Sequence, residues 1–348
     1  MTAQTTGRQP VAPAPAPAAV RRRLPSWFGT WEITLSALVV LAVVVASATS
    51  PYFATGQNFS TSATGALGLS LMVVPMAWLM VAGEIDLSVA STFALSATVF
   101  GLAVAGGLGT WPAIGLGVLT GAVAGLVNGL LVVDVGLPSL IVTIGTLGLY
   151  RGLSYVLLEN RGISDLPPGL TTFAQENLPG TLVPYGFVAF VVVAVAAAVL
   201  LHRGALGRAV FAIGSNPQVA RFSGLRVGAV KRGLFVFSGV VAAIAGIAYA
   251  GYISTVRASN GTGLELIVVG IVLIGGISMY GGRGSFVGVL LALLLVTILT
   301  SWMTLGDAET AVQYMVTGLL MVGAVVVPAL ARRLHLARER RRSAGSVR

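Results

Sequence analysis

The stretch RGALGRAVFAIGSNPQVARFSGLRVGAVK, residues 203–231, is the longest clearly polar interruption in a chain that is otherwise mostly apolar. It therefore separates two groups of membrane-embedded runs and is the part that faces water. Within it, Ser215 or Asn216 can cap a helix, Pro217 fits the first helical position, and Gly224 supplies the left-handed residue that ends one. The punctuation predicts a helix of about eight residues. Val219 and Phe222, three apart, share one face of it, whereas Gln218 and Arg221 fall elsewhere on the circumference. A short capped helix held between membrane segments has the form of a plug for a socket on another protein. The plainer alternative is an ordinary cytoplasmic loop whose arginines are topology signals.

Composition supports the membrane reading. Of 348 residues, 56% are hydrophobic and 9% charged, with a mean hydropathy of +0.92. A soluble domain carries roughly 25% charged residues. Cysteine is absent and there are two histidines, His202 and His335, each close to an arginine at the end of an apolar run. That argues against thiolate or histidine metal sites, and no metal is expected. The net charge of +10 would point to nucleic acid if it formed a patch on a folded domain, but it does not. Four arginines precede the first apolar span, six basic residues lie between Arg203 and Arg232, and seven arginines follow the last span. This is the positive-inside pattern, and it excludes nucleic acid as a partner in favour of a lipid bilayer.

Apolar spans run at about 33–49, 64–82, 87–105, 111–133, 138–158, 182–201, 233–256, 264–277, 286–303 and 311–330. The expected class is thus an all-α polytopic membrane protein of about ten transmembrane helices, with both termini inside (N-in/C-in). Charge gives an independent check. Ten crossings place Glu159, Asp165, Glu176, Asp307 and Glu309 outside with two basic residues, Arg161 and Arg257, while the 203–231 loop and Arg283 fall inside. Residues 1–30, rich in Pro and Ala, read as a disordered cytoplasmic tail, 31–331 as the transmembrane unit, and 332–348 as a basic cytoplasmic tail. Gly117, Gly121, Gly125 and Gly129 repeat every four residues and lay a bare ridge along the fourth span for close helix packing. The turns GEIDLS and GGISMYGGRGS resemble each other weakly, as doubled elements in transporters do.

Glu84 and Asp86 sit two apart in GEIDLS, just ahead of Ser88. Asp86 reads as a cap on the third span, with ion coupling by the two carboxylates as the alternative. Arg151, the one basic residue inside a span, either lines a polar pathway or snorkels to the outer surface. Asn128, Thr143 and Thr146 are further candidates for a pathway that takes a neutral, hydroxyl-rich solute. The single lysine, Lys231, does not follow a glycine-rich loop, so there is no nucleotide-binding motif, no cofactor is expected, and any ATPase is a separate polypeptide. No nucleophile–base pair is evident, so no catalytic residue is assigned.

Four ordered stretches resemble the permease subunits of bacterial ATP-binding-cassette importers for monosaccharides, the ribose, xylose and rhamnose type. They are GEIDLSVAS, LPSLIVTIGTLGLYRGLSYVL from Leu137, AIGSNPQVARFSGLRV, and IGGISMYGGRGSFVG, which contains Gly281, Gly282 and Arg283. The resemblance implies that Asn216, Pro217, Val219, Arg221, Phe222 and Gly224 form a coupling helix that fits a cleft in an ATPase subunit. It also implies alternating access between two permeases, as a homodimer or heterodimer, a soluble sugar-binding protein at the outer face, and residence in the bacterial inner membrane. Deoxyhexose, pentose or a furanosyl signalling molecule are all compatible substrates. The competing reading is an ion-coupled secondary transporter using Glu84, Asp86 and Asp134, which predicts carboxylates near the bilayer midplane.

Overall fold

The computed structural model describes residues 29–326 apart from 160, 314, 321, 324 and 325. The tails expected over residues 1–30 and 332–348 lie almost wholly outside this range. Regular structure among the described residues is helical: α1 (Thr30–Thr49), α2 (Gly56–Gly65), α3 (Leu67–Val81), α4 (Val89–Ala105), α5 (Thr110–Val133), α6 (Ser139–Leu158) and α7 (Pro168–Gln175) come first. They are followed by α8 (Tyr185–Arg203), α9 (Ala205–Ser215), α10 (Pro217–Phe222), α11 (Val227–Ile253), α12 (Leu264–Ile274) and α13 (Phe286–Leu305). Two isolated β-bridges, Ile163 with Val256 and Asn177 with Pro184, pin the connecting segments.

The all-helical, multi-pass character follows from the apolar runs, but the expected count of ten spans is met only in part. α1, α5, α6, α8, α11 and α13 are long and apolar enough to cross a bilayer, and the bent pair α2 and α3 makes a seventh. α4 has 17 residues and α12 only 11. At 1.5 Å per residue, α12 covers about 16 Å, roughly half of the hydrocarbon core. The tenth expected span falls partly outside the described residues; within it, 310–313 and 315–320 are helical.

Three helices escaped the hydropathy pattern. α2, GQNFSTSATG, is polar and lies mostly between the spans that hydropathy predicts; it forms because the Thr55 Oγ1 accepts the Asn58 N–H at 3.2 Å and caps its start. The axis then turns by 53° into α3. α7 begins with Pro168 at its first position, and α9 buries Val210 and Ile213 from within the polar 203–231 stretch.

The core is built around α11 and α3. All of α3 except Leu69 is buried, which is why this helix is apolar on every side. α11 packs on α3, α4 and α5. The glycine ridge is what brings α5 to it: a Cβ on Gly121 would lie 2.2 Å from the Gly239 carbonyl oxygen, and one on Gly125 2.2 Å from that of Phe235. Gly246 of α11 meets the Phe93 carbonyl of α4 in the same way, at 2.1 Å. These contacts are backbone against backbone, so no rotamer change relieves an added methyl group.

Replacing Gly121 by Ala should therefore lower stability by about 2 kcal/mol or more, since overpacking typically costs 1–3 kcal/mol and the neighbour here is main chain. Gly145→Ala on α6, where nothing lies within 4 Å, is the control and should be neutral. Thermal unfolding of the two variants in one detergent reads the difference.

Candidate coupling surface and solute cavity

Three loops converge beneath α3. Gly282 donates its N–H to the Val81 carbonyl at 2.8 Å, at the end of α3. A Cβ on Gly214 would lie 1.8 Å from that same oxygen, and one on Gly281 2.8 Å from the Gly83 α-carbon. Gly83, Gly281 and Gly282 all have positive φ, which L side chains rarely adopt. The glycines of GEIDLS, of the 203–231 stretch and of GGISMYGGRGS thus exist to let these three segments touch. Arg283 points to solvent, and its carbonyl accepts the Ser278 N–H at 3.0 Å to close the turn.

α10 protrudes from this junction. Asn216 supplies the cap: its Oδ1 accepts the N–H groups of Gln218 and Val219 at 3.0 and 3.1 Å. Pro217 takes the first position, and Gly224, at φ +81°, turns the chain after Ser223. The helix has six residues against the eight expected, because Ser223 already leaves helical geometry. Ala220 packs inward with Ile213 and Val227. Phe222 is 93% exposed and Val219 is exposed beside it, with Arg221 also at the surface. Tyr280, 89% exposed, and Met279 rise from the neighbouring glycine turn. Those two were missed in the sequence, although large apolar residues between glycines in a water-facing turn are the signal that could have found them.

The carboxylates are engaged. Glu84 forms an ion pair with Lys231, and Asp134 pairs with Arg232 at 2.6 Å. Asp86 is 2% exposed; its Oδ1 accepts from the Ser88 N–H at 3.0 Å and the Ser88 hydroxyl at 2.6 Å, and its Oδ2 from the Ser238 hydroxyl at 2.8 Å. Asp86 therefore closes the turn ahead of α4 and reaches across to α11, rather than capping the first turn of α4. Burial pushes this carboxyl above its ordinary range, and the serine hydrogen bonds oppose that. Asn128 of α5 donates to the Ser88 hydroxyl at 2.7 Å, joining a third helix to the network. His202, at the end of α8, accepts the Phe286 N–H at 3.0 Å and so caps α13.

The other expected pathway residues are also internal. Thr143 donates to the Ser139 carbonyl at 2.8 Å and Thr146 to that of Val142 at 3.1 Å, both within α6. Arg151 donates to backbone carbonyls instead of reaching the surface. None of Asn128, Thr143, Thr146 and Arg151 lines a polar-walled cavity found elsewhere in the bundle. That cavity, about 990 Å³, opens beside the bend between α2 and α3. Its walls come from α2 (Asn58, Thr61, Ser62), the end of α11 (Tyr249, Tyr252), the 254–263 segment (Ser259, Asn260, Thr262) and α13 (Thr297, Thr300, Ser301). Among the described residues, no charged side chain lines it. Ser62 donates to the Ser301 hydroxyl at 2.9 Å, and Ser301 to Asn58 Oδ1 at 3.0 Å, so α2 and α13 are tied through groups that face the space. A smaller apolar cavity of about 400 Å³ shares this wall and is lined mainly by Phe59, Phe187, Phe190 and Leu293. The polar residues of α2 lie mostly ahead of the apolar run at about 64–82, where hydropathy predicts no span, so this cavity cannot be assembled from the sequence.

A polytopic helical bundle with a glycine-built junction, a protruding capped helix and an uncharged cavity defines a membrane permease, and comparison with known proteins agrees. Residues 58–325 match the family described as branched-chain amino acid transport system / permease component. The chain is 32% identical over 323 residues to the autoinducer 2 import system permease protein LsrD of Yersinia pseudotuberculosis (strain YPIII), covering 90% of this chain and 96% of that one. The LsrD protein of Yersinia pestis (strain Pestoides F) gives the same figures. No solved structure matches the chain. The chain belongs to this permease family of ATP-binding-cassette importers. It is a multi-pass subunit of the bacterial inner membrane, it is not itself an enzyme, and it works with an ATPase and a solute-binding protein. The ion-coupled alternative falls with this assignment; Glu84 and Asp134 are held in ion pairs with Lys231 and Arg232 respectively.

The pair Glu84 and Lys231 is largely withdrawn from water, with side-chain exposures of 10% and 16%. Lys231→Met alone should destabilise by about 3 kcal/mol, because it strands a buried carboxylate, and Glu84→Met with Lys231→Met should recover most of that loss. Melting temperatures of the two variants test the pairing, and retention of ATP-driven uptake by the double variant confirms that Glu84 carries no coupling ion.

Proposed function

We propose that this chain forms half of the translocation pathway of an importer for a small, neutral, hydroxyl-rich solute, a monosaccharide or autoinducer 2, and moves it by alternating access. The observation that carries the reading is the cavity of about 990 Å³, whose wall carries hydroxyl, amide and phenol groups among apolar side chains and, among the described residues, no charged one. Such a wall offers hydrogen bonds in both directions to sugar-like hydroxyls. It offers no counter-charge to the ammonium and carboxylate of an amino acid, which would have to be desolvated unpaired. The relatives at 32% identity are autoinducer 2 permeases, which favours a solute of that kind here.

The pathway is completed by a second permease, the same chain or a similar one. The basic residues of the 203–231 stretch favour a cytoplasmic position for it, so α10 and the glycine junction lie on the ATPase side. In this arrangement Phe222 and Val219 enter a cleft of the ATPase, with Arg221 at the rim and Tyr280 extending the contact. The 31–331 region is then the permease domain, and the glycine junction hands the motion of α10 to α3 and α4.

Two measurements test this. Proteoliposomes holding the permease, its ATPase and the solute-binding protein should take up autoinducer 2, ribose, xylose or rhamnose on addition of ATP, and should not take up leucine. Leucine uptake without sugar uptake would refute the solute class. Phe222→Asp should abolish docking, since burying an unpaired carboxylate costs on the order of several kcal/mol. Loss of co-purification of the ATPase with the variant is the expected result, and full ATP-driven uptake by it would disprove the coupling role.

A further inference from the structure

Arg151 lies in α6, and its guanidinium is directed wholly at main chain. Nη1 donates to the carbonyls of Ala258 at 2.6 Å and Asn260 at 2.7 Å, and Nη2 donates to that of Ala90, in the first turn of α4, at 3.2 Å. Ala258 and Asn260 belong to the segment 254–263 between α11 and α12. The same segment supplies Ser259, Asn260, Gly261 and Thr262 to the wall of the polar cavity. Arg151 itself does not line that wall.

This segment has no regular structure to hold its shape. The bridge of Val256 to Ile163 fixes its start, and Asn260 reaches back to the Thr255 carbonyl at 3.3 Å. Gly261, at φ +74°, lies against Phe93, where an added Cβ would come within 3.0 Å of the ring. The two short bonds from Arg151 are charge-assisted and therefore stronger than the neutral ones around them. They also satisfy carbonyls that have no helical partner. A charge at this depth persists only when balanced, and Arg151 interacts electrostatically with Glu265 in the first turn of α12. One Glu265 oxygen is buried without a hydrogen-bond partner.

We infer that Arg151 is a positioning residue: it locks the 254–263 segment against α4 and α6 and so sets the shape of the cavity wall that meets the solute, without touching the solute. The inference rests on the reading of the cavity given above. Lysine does not substitute, because a single ammonium on a flexible stem cannot hold three carbonyls in a fixed plane.

Because the chain has no cysteine, Gln57→Cys and Ser259→Cys place two spin labels selectively, one on α2 and one on the 254–263 wall, both at exposed cavity-lining positions. Electron–electron resonance on the complex with its ATPase in lipid nanodiscs then reads the width of the cavity. The expected result is a narrow within-chain distance component with Arg151, a broadened and displaced one with Arg151→Met, and partial narrowing with Arg151→Lys. Ribose and autoinducer 2 uptake by Arg151→Met should fall about tenfold or more, the consequence of losing hydrogen bonds to a charged group. An unchanged distribution in Arg151→Met overturns the inference; if that variant does not assemble, unchanged distributions in both Arg151→Lys and Arg151→Gln overturn it equally. The cavity reading is tested apart, by Asn58→Ala with Thr262→Val. If those leave uptake intact while Arg151→Met still shifts the distance, the cavity reading fails and the positioning of the segment stands.

Discussion

Close approach of main chain to main chain between α11 and its neighbours α4 and α5 is the constraint on which the rest of the structure depends. In a bilayer no hydrophobic drive brings helices together, since the acyl chains are as apolar as leucine, and association relies on dispersion and on fit. Gly121, Gly125, Gly239 and Gly246 remove the side chains that would hold the axes apart, with carbonyl oxygens of the partner helix filling the space. Once α11 is seated, its Ser238 comes to rest against Asp86, and its second turn brings Lys231 to Glu84 and Arg232 to Asp134. The glycine contacts thus determine where the polar ones form.

Those polar contacts divide into two kinds with different consequences. At the junction beneath α3, Asp86, Ser88, Asn128 and Ser238 form a network that is almost fully buried. In a low-dielectric setting such a network has few alternative arrangements, so it holds α4, α5 and α11 as one body. Around the cavity the hydroxyls are less enclosed and include Thr61, Thr297 and Thr300 on two different helices. One set of polar groups is almost fully enclosed by the protein, and the other borders the cavity. The bend between α2 and α3 is what separates them, because it turns the polar helix α2 away from the almost wholly buried α3.

The sequence made some of this legible. Four-residue glycine spacing at 117, 121, 125 and 129 announced a packing ridge, and Asn216, Pro217 and Gly224 announced a capped helix, because both effects depend on residues a few positions apart. Hydropathy found the long spans but missed α2, whose Gly, Gln, Asn, Ser and Thr residues form a helix lining a polar cavity inside the bundle. It overestimated α12, where the apolar run continues past Ile274 while the backbone leaves the helix at Gly275 and Gly276. The expectation that Asn128, Thr143 and Thr146 face a pathway treated a polar residue in a span as addressed to solute, whereas each is answered by another protein group.

By itself the sequence determined the class of the protein, an all-helical multi-pass membrane subunit, together with its local punctuation and the exposed face of α10. These follow from composition and from short-range hydrogen bonding, which need no knowledge of what lies across the fold. Only the tertiary structure decided the partners of the charged groups and the location of the cavity. Glu84 meets Lys231 across 147 positions, Asp86 meets Ser238 across 152, and Arg151 meets Asn260 across 109. A carboxylate or guanidinium carries the same character whichever group it finds. Its role is set by the neighbour that helix packing brings to it, and that packing depends on the whole chain at once.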